Sequence, residues 1–409
     1  MRLSQAFLFG SDKMKHTTAR IYRIRITIAF FMVFLAAPLL IIADTPKASP
    51  NLPTTEEIKG EMQTLYQSFH QLFRHSINEK KFLSGEIDGE IQSLLADLEN
   101  SFHKDELRKS RFSSEPTYRF LLQSIARMVE DANTRFKEGE RGYALWQIKS
   151  FSQYCISCHT RLKGAEFPNP SFDEQFFSEI KDPLVIADYL LASRQFERAA
   201  AAFLSIAKKS EIPYERDRML AKWLTIKVRV GQNPTVILEE LRNYKNGRKL
   251  SRRENSELFL WEQGLKRWEK DAQTPIENLL QSGLNKEQQI SGGGVIELLR
   301  VTATIHRELN EGTTLHAKNE AEKLLLLAQA YRELPGYFMY ELPEMLLERA
   351  IRLQADTELA RKSFLLLREI LIGAYSGSGG TYLPDDVKLH LRELEDIAYG
   401  IPGQETGRV

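Results

Sequence analysis

The sequence predicts an all-α fold in which a four-helix bundle precedes a domain of paired helices. Between residues 54 and 165, apolar residues recur every three or four positions in four stretches separated by polar breaks, which is the spacing of amphipathic helices. Residues 183–399 show the same pattern in pairs of stretches. Pro168 and Pro170 interrupt the pattern between the two regions and mark the predicted domain boundary.

The composition and charge of the chain do not favour a nucleic-acid partner. The 56 Lys and Arg residues nearly balance the 55 Asp and Glu residues, so no global field attracts a polyanion. We therefore expect no nucleic-acid partner. The chain has 2 cysteines among 409 residues, and a chain of this length buries enough apolar surface to fold without disulfides.

Residues 1–43 have the organisation of an export signal. Basic residues that include Arg20, Arg23 and Arg25 precede a charge-free, mostly apolar stretch over residues 26–43, as in secretory signal peptides. Cleavage before Asp44 predicts a periplasmic protein. The stretch is also close to the roughly 20 residues that span a bilayer. An uncleaved inner-membrane anchor is therefore the alternative, and we expect no other membrane contact.

The first three helices of the bundle follow from their apolar faces. The first begins near Thr54, where Thr and Glu residues suit a helix start, and it continues to Ile77. The second covers residues 87–102 and the third covers residues 118–136. In each stretch the apolar residues follow the i, i+3, i+4, i+7 pattern of a helix that packs on one side.

The fourth predicted helix, residues 143–159, carries the motif Cys155-Ile156-Ser157-Cys158-His159. Cysteines at i and i+3 share one helical face, so their thiols can form thioether bonds to the two vinyl groups of one haem. The adjacent histidine then ligates the iron. The motif thus predicts one covalent haem c, with Cys155 and Cys158 as thioether donors and His159 as the proximal axial ligand. Haem attachment outside the cytoplasm agrees with the export signal.

Three other interpretations of the cysteine pair stay open. A thioredoxin-like redox pair requires a βαβ context, whereas the flanking sequence looks helical. A zinc site requires four ligands, and the sequence has no second cysteine pair to complete one. The third interpretation is a chance occurrence of the motif in an exported protein without haem.

A bundle with this motif on its last helix, followed by Leu162 and Lys163, resembles the cytochrome c-prime family and its low-spin relatives over about residues 54–165. The resemblance implies that His159 is the proximal ligand and that the opposite axial position faces the first helix. Low-spin members have methionine there, and five-coordinate members have an apolar residue. Met62 falls where the resemblance places this ligand. The alternatives are that Met62 only fills the core, or that the ligand is Met128, His70, His75 or His103.

The second half resembles tetratricopeptide repeats. Residues 187–203 show a helix, a short turn and a helix, with Arg194 in place of the glycine of the turn. Such stacks form α-solenoids whose grooves commonly bind proteins, whereas a compact domain that only supports the bundle is the alternative. The spacing is irregular, so the repeats are degenerate. Further pairs are predicted at residues 219–230 with 234–244, 258–268 with 276–284 and 295–309 with 321–334, followed by helices at 342–353 and 357–374.

Two segments of the second half carry weaker signals. Residues 375–381 are rich in glycine but lack the lysine and the preceding strand of a P-loop, so we interpret them as a connection. The basic residues between 242 and 253 are interpreted as a solvated turn, with attraction of an acidic redox partner as the alternative.

The sequence therefore predicts an exported monohaem c-type cytochrome that transfers single electrons. Its raised reduction potential would follow from the thioether ligand Met62. The helical repeat domain would dock the cytochrome to protein redox partners. The sequence assigns no catalytic residues, and we expect a carrier rather than an enzyme. The alternatives are a haem-based sensor of gases or other ligands and an interaction scaffold that the haem only stabilises.

Overall fold

The fold is all-α, as predicted. A computed structural model describes residues 55–108, 116–161, 177–178, 180–285, 294–310, 317–334 and 336–401. About 80% of the structure is helical. The β-structure among them is one short antiparallel hairpin, formed by β1 (Ser376–Gly377) and β2 (Gly380–Thr381).

The first part of the chain forms three long helices and several shorter ones. The long helices match the first three predicted stretches, whereas the predicted fourth helix is divided in two at Phe151. Two helices of six and four residues were not predicted. The helices are α1 (Thr55–Ile77), α2 (Glu79–Ser84), α3 (Asp88–His103), α4 (Asp105–Arg108), α5 (Pro116–Lys137), α6 (Arg141–Ser150) and α7 (Ser152–His159).

The long helices pack around a common apolar core. Helix α3 lies against both α1 and α5, and α5 also packs on α6. Leu72 of α1, Leu95 of α3 and Val129 of α5 are fully buried at the centre of this core. Each side chain of this kind contributes about 1.5–3 kcal/mol when it is removed from water. The apolar spacing of the sequence therefore produces one packed bundle.

The second part consists of helices that mostly pack on their neighbours along the chain. Contacts join α8 to α9, α9 to α10, α11 to α12, and each of α13 to α17 to the helix that follows it. The α-helices are α8 (Pro183–Ala192), α9 (Phe196–Lys209), α10 (Pro213–Ile226), α11 (Pro234–Lys245), α12 (Arg252–Lys270), α13 (Ile276–Gly283), α14 (Val295–Asn310), α15 (Ala317–Arg332), α16 (Leu342–Leu353), α17 (Glu358–Ala374) and α18 (Asp385–Tyr399). A π-helix (Lys227–Gly231) follows α10 directly.

Local sequence explains where several of these helices begin. Helices α8, α10 and α11 each have a proline in the first turn, where its missing N–H costs no hydrogen bond. The Asp182 side chain accepts a hydrogen bond from the Leu184 amide at 2.9 Å. Ser251 and Glu254 form a capping box at the start of α12, which satisfies two backbone donors that the helix cannot pair.

Apolar contacts join the two parts of the chain. Tyr189 of α8 is buried against Phe73 of α1, with ring centroids 5.0 Å apart. Ile156 of α7 belongs to the core of the second part, and α5 contacts α16. The described residues, all of which lie between positions 52 and 409, group as one compact unit. The predicted division into domains 54–165 and 183–399 stays a prediction, and most of the proline-containing boundary lies outside the described residues.

The predicted export signal or anchor, residues 1–43, lies outside the described residues. Within the part of the chain that the structure describes, no helix combines the length and the apolar character needed to cross a membrane.

Candidate functional site

An apolar cavity lies between α1, α3, α5 and α7. Its empty space, counted with the open mouth, is about 860 Å³, which is within the range of small-molecule and cofactor sites. One face of α1 forms a wall, because Met62, Leu65, Tyr66 and Phe69 are spaced by one helical turn or less. The other apolar wall residues include Leu98, Phe102, Leu121, Leu122, Ile125, Val129 and Phe151.

Residues from the predicted haem site meet at this cavity. Cys158 and His159 of α7 line it, and Met62 of α1 lines it as well. Cys155 lies one turn before Cys158 on α7, but its side chain is outside the described part of the structure. Helical geometry nevertheless puts positions 155 and 158 on the same face. One thiol, one imidazole and one thioether therefore line the cavity, and the rest of its wall is largely apolar.

The other candidate axial ligands are not among the described residues that line the cavity. Met128 packs against the bundle core from a partly buried position. His70 Nδ1 lies 2.5 Å from the Tyr189 hydroxyl, and His75 Nε2 lies 3.6 Å from a Glu90 carboxylate oxygen. His103 is exposed at the end of α3. Of the ligands that the sequence offered opposite His159, Met62 is the one at the cavity.

The His159 imidazole is held in its neutral form. Burial, assisted by the nearby Arg194 guanidinium, lowers the pKa of His159 to about 3, while a hydrogen bond to the backbone of Leu191 acts in the opposite direction. Its Nδ1 atom is buried and has no hydrogen-bond partner among the described residues. A neutral imidazole has a lone pair available for a metal ion.

Two tyrosines of the cavity wall are held as neutral phenols. Burial raises the pKa of Tyr66, although its hydrogen bond with Tyr189 acts in the opposite direction. The two hydroxyl oxygens are 2.5 Å apart. Burial and the charge of Glu341 raise the pKa of Tyr154. Because a phenolate is the form that ligates iron strongly, these shifts disfavour both tyrosines as ligands relative to His159.

Arginine side chains interact with the motif from the side of α7 that packs on the second part of the chain. Arg194 interacts electrostatically with Cys158 and His159, and Arg229 interacts with Cys158 and Arg161. Arg229 is 3% exposed, and its guanidinium carbon is 4.8 Å from the Phe338 ring centroid. Burial lowers the pKa of both Arg194 and Arg229. The motif thus lies in a cationic, poorly hydrated environment.

Sequence reasoning missed the contribution of the second part to this site. Ala192 of α8 lines the cavity, and Arg194 follows it in the turn between α8 and α9. Arg194 has a φ of +60°, in the left-handed region that disfavours residues other than glycine. The sequence signal was present, since arginine replaces glycine in this turn, but its structural role required the packing of α8 on α7.

Comparisons with protein-family models, with curated proteins and with solved structures found no match for this chain. Among the described residues, no group of three or more His, Cys, Asp and Glu side chains forms a metal site. The motif, the cavity and their chemistry therefore carry the functional assignment.

Proposed function

We propose that this chain is a periplasmic monohaem c-type cytochrome that transfers single electrons. The observation that carries the proposal is the apolar cavity to which Cys158, His159 and Met62 all contribute. A haem has a large apolar ring, and a low-spin haem has a ligand on each face of its iron. A cavity with these three groups and mainly apolar walls has the chemistry to hold such a group.

Each residue has a defined task in this proposal. Cys155 and Cys158 would form the thioether bonds, His159 would be the proximal ligand and Met62 the distal ligand. The neutral state of His159 favours metal ligation because no proton must leave first. When bound, the haem iron supplies the one-electron couple. The apolar walls keep water away from the iron, and an apolar shell of this kind is one of the factors that control reduction potential.

The charges around the motif support the same function. The cations Arg194 and Arg229 interact with Cys158. Reduction adds one negative charge at the iron, so nearby positive charge stabilises the reduced state and raises the reduction potential. Thioether ligation by Met62 acts in the same direction. A carrier that accepts electrons from a reducing partner would benefit from both effects.

The resemblances extend the proposal to the whole chain. We assign residues 54–165 to a cytochrome c-prime-like bundle and residues 183–399 to degenerate tetratricopeptide-like repeats that dock protein redox partners. Residues 1–43 act as the signal peptide or as an inner-membrane anchor. The support is the order of elements, with α7 at the end of the first group of helices and consecutive packed helices after residue 183.

A haem-based ligand sensor is the second candidate. Tyr66 lies one turn after Met62 on α1, and both line the cavity. If Met62 does not bind the iron, an open distal site would have a phenol hydroxyl in the same wall. Such a hydroxyl can donate a hydrogen bond to a bound gas molecule. The two candidates therefore differ in the ligation state of the iron.

Optical spectroscopy of the full chain, produced with periplasmic c-type haem attachment, tests the proposal. We expect haem that remains attached after denaturation, and a low-spin spectrum that Met62→Ala converts to high-spin. Met128→Ala is the matched control, because Met128 is a partly buried methionine outside the cavity wall, and it should keep the low-spin spectrum.

Two results would contradict this assignment in different ways. A high-spin spectrum in the parent chain would reject Met62 ligation and favour the sensor. Haem attachment that persists when Cys155→Ser and Cys158→Ser are combined would reject the thioether bonds.

A further inference from the structure

A groove with an acidic rim lies between α16, α17 and α18 in the second part of the chain. Its empty space, counted with the open mouth, is about 720 Å³. One part of the rim consists of Glu341, which precedes α16, and of Glu344 and Glu348 within α16. These positions share one helical face, because they are three and four residues apart. Asp386 and His390 of α18 also line the groove, and His390 Nε2 lies 3.4 Å from a Glu348 carboxylate oxygen. We call it the acidic groove.

Most of the other residues that line the acidic groove are apolar. They are Met345, Leu367, Leu371 and Val387. Tyr375, which directly follows α17 and is 39% exposed, lines the groove as well, and a tyrosine ring attracts ammonium and guanidinium groups. Lysine and arginine combine a long apolar stem with a charged end. The groove therefore has the chemistry to bind side chains of this kind.

Three carboxylates of the rim are available to a cation. Glu341, Glu344 and Asp386 form no ion pair with a described residue, whereas Glu348 is already paired with Arg352. No Lys or Arg is among the described residues that line the groove. Burial, and then the charge of Glu341, raise the pKa of Glu344. Because the like charges repel each other, a bound cation would stabilise the ionised rim.

The acidic groove lies close to the proposed haem cavity. Helix α16 contacts α5, and residues of α5 form part of the cavity wall. Tyr154 of α7 also lines the cavity, and the charge of Glu341, after burial, raises the pKa of this tyrosine. A protein bound in the groove would therefore lie beside the cavity wall, where an electron has only a short distance to cross.

We propose that the acidic groove is the docking site for a partner protein that presents lysine and arginine side chains. This inference rests on the proposed function, which makes that partner a redox protein. The basic side chains pair with Glu341, Glu344 and Asp386, and complementary charge speeds association and fixes the orientation of the two proteins. The basic residues between 242 and 253 are less suited to an acidic partner, since Lys245 and Arg253 are already in ion pairs.

The test uses the full chain and two labelled helical peptides that share one leucine pattern, with lysine at every polar position in one and glutamate in the other. Fluorescence anisotropy measures binding. We expect the lysine peptide alone to bind, and Glu341→Gln combined with Glu344→Gln to weaken it about tenfold. Glu239→Gln combined with Glu277→Gln is the matched control, because it removes the same charge from exposed positions outside the groove. The control should change the affinity by less than about twofold.

Electron transfer tests the redox part of the inference. The full chain with attached haem is reduced and mixed with a small lysine-rich cytochrome c in a stopped-flow instrument. We expect Glu341→Gln combined with Glu344→Gln to slow electron transfer about tenfold at low ionic strength, without a change in the optical spectrum of the haem.

Three outcomes would overturn the inference. One is equal affinity of the parent and of the Glu341 and Glu344 variant for the lysine peptide. Another is an equal loss of affinity in the control, which would assign the attraction to overall charge. The third is dimerisation of the parent that the groove substitutions abolish, which would assign the groove to a second copy of this chain. Circular dichroism must show that the variants are folded. Failure of the proposed function is distinguishable, because it leaves peptide binding intact and appears as a parent chain that carries no covalent haem.

Discussion

A buried histidine in the second part of the chain makes folding stability depend on pH. His306 of α14 is fully buried, and its Nε2 lies 2.6 Å from the Tyr331 hydroxyl. Burial, and then the nearby cations Arg161 and Arg229, lower the pKa of His306 well below its usual value. The folded protein therefore keeps this imidazole neutral at a pH where the unfolded chain protonates it.

The sign and size of the effect follow from proton linkage. Below about pH 6.5 the unfolded state binds one proton more than the folded state, so acidification destabilises the fold by about 1.4 kcal/mol per pH unit. Between pH 6.5 and pH 5.0 the contribution of His306 amounts to about 2 kcal/mol. The contribution is absent at higher pH, where both states leave the imidazole neutral.

The perturbation is His306→Gln, measured by urea unfolding with circular dichroism at several pH values. The variant loses the hydrogen bond to Tyr331 and should be about 1–3 kcal/mol less stable than the parent at pH 7.5. The difference in unfolding free energy between the parent and the variant should become about 2 kcal/mol smaller by pH 5.0, because only the parent is destabilised by protonation of His306 in the unfolded state. Tyr331→Phe is the matched control, since it removes the same hydrogen bond but keeps the imidazole, and its curve should run parallel to that of the parent. A parallel curve for His306→Gln would refute the reasoning.

Three further substitutions test local packing, each by thermal or urea unfolding. Because Arg194 has a positive φ, Arg194→Gly should be more stable than Arg194→Ala by about 1 kcal/mol, and equal stability would contradict the strained turn. Tyr189→Phe removes the hydroxyl that contacts Tyr66 and His70 and should lower the free energy of unfolding by about 1–3 kcal/mol. Tyr214→Phe is the control, because Tyr214 is 70% exposed and its substitution should leave the stability almost unchanged. Gly294→Ala should lower the free energy of unfolding by about 2 kcal/mol, because Gly294 has a positive φ and the new methyl group would overlap the Gly283 carbonyl oxygen. Gly142→Ala is the control, because a methyl group at this position has open space around it.

The sequence predicted the long helices well because each has one buried face. In α3, Ile91, Leu94, Leu95 and Leu98 are all buried, and their spacing is the helical pattern that defined the predicted stretch. The division of the last bundle helix at Phe151 was not predictable in this way. Phe151 itself has helical backbone angles (φ −56°, ψ −31°), and no glycine or proline occurs between residues 143 and 159 to mark the break.

The candidate site was predictable only where its signal is local. The motif is one helical turn long, so Cys158 and His159 were assigned from spacing alone. Met62 required a family resemblance, because it is far from the motif in sequence. Ala192 and Arg194 were missed as site residues, since their position depends on how α8 packs against α7, and a single sequence does not contain that information.

The contacts of α7 bear on how the second part of the chain can be studied. If the second part only docked partners, the proposed haem site would be complete without it. Instead, Ala192 forms part of the cavity wall, the charge of Arg194 acts on His159, and Ile156 of α7 is packed in the core of the second part. A fragment of residues 183–399 would also expose Tyr189, which is 1% exposed in the full chain. Partner binding is therefore best measured with the full chain, in which the proposed redox site and the proposed docking surface share one packed structure.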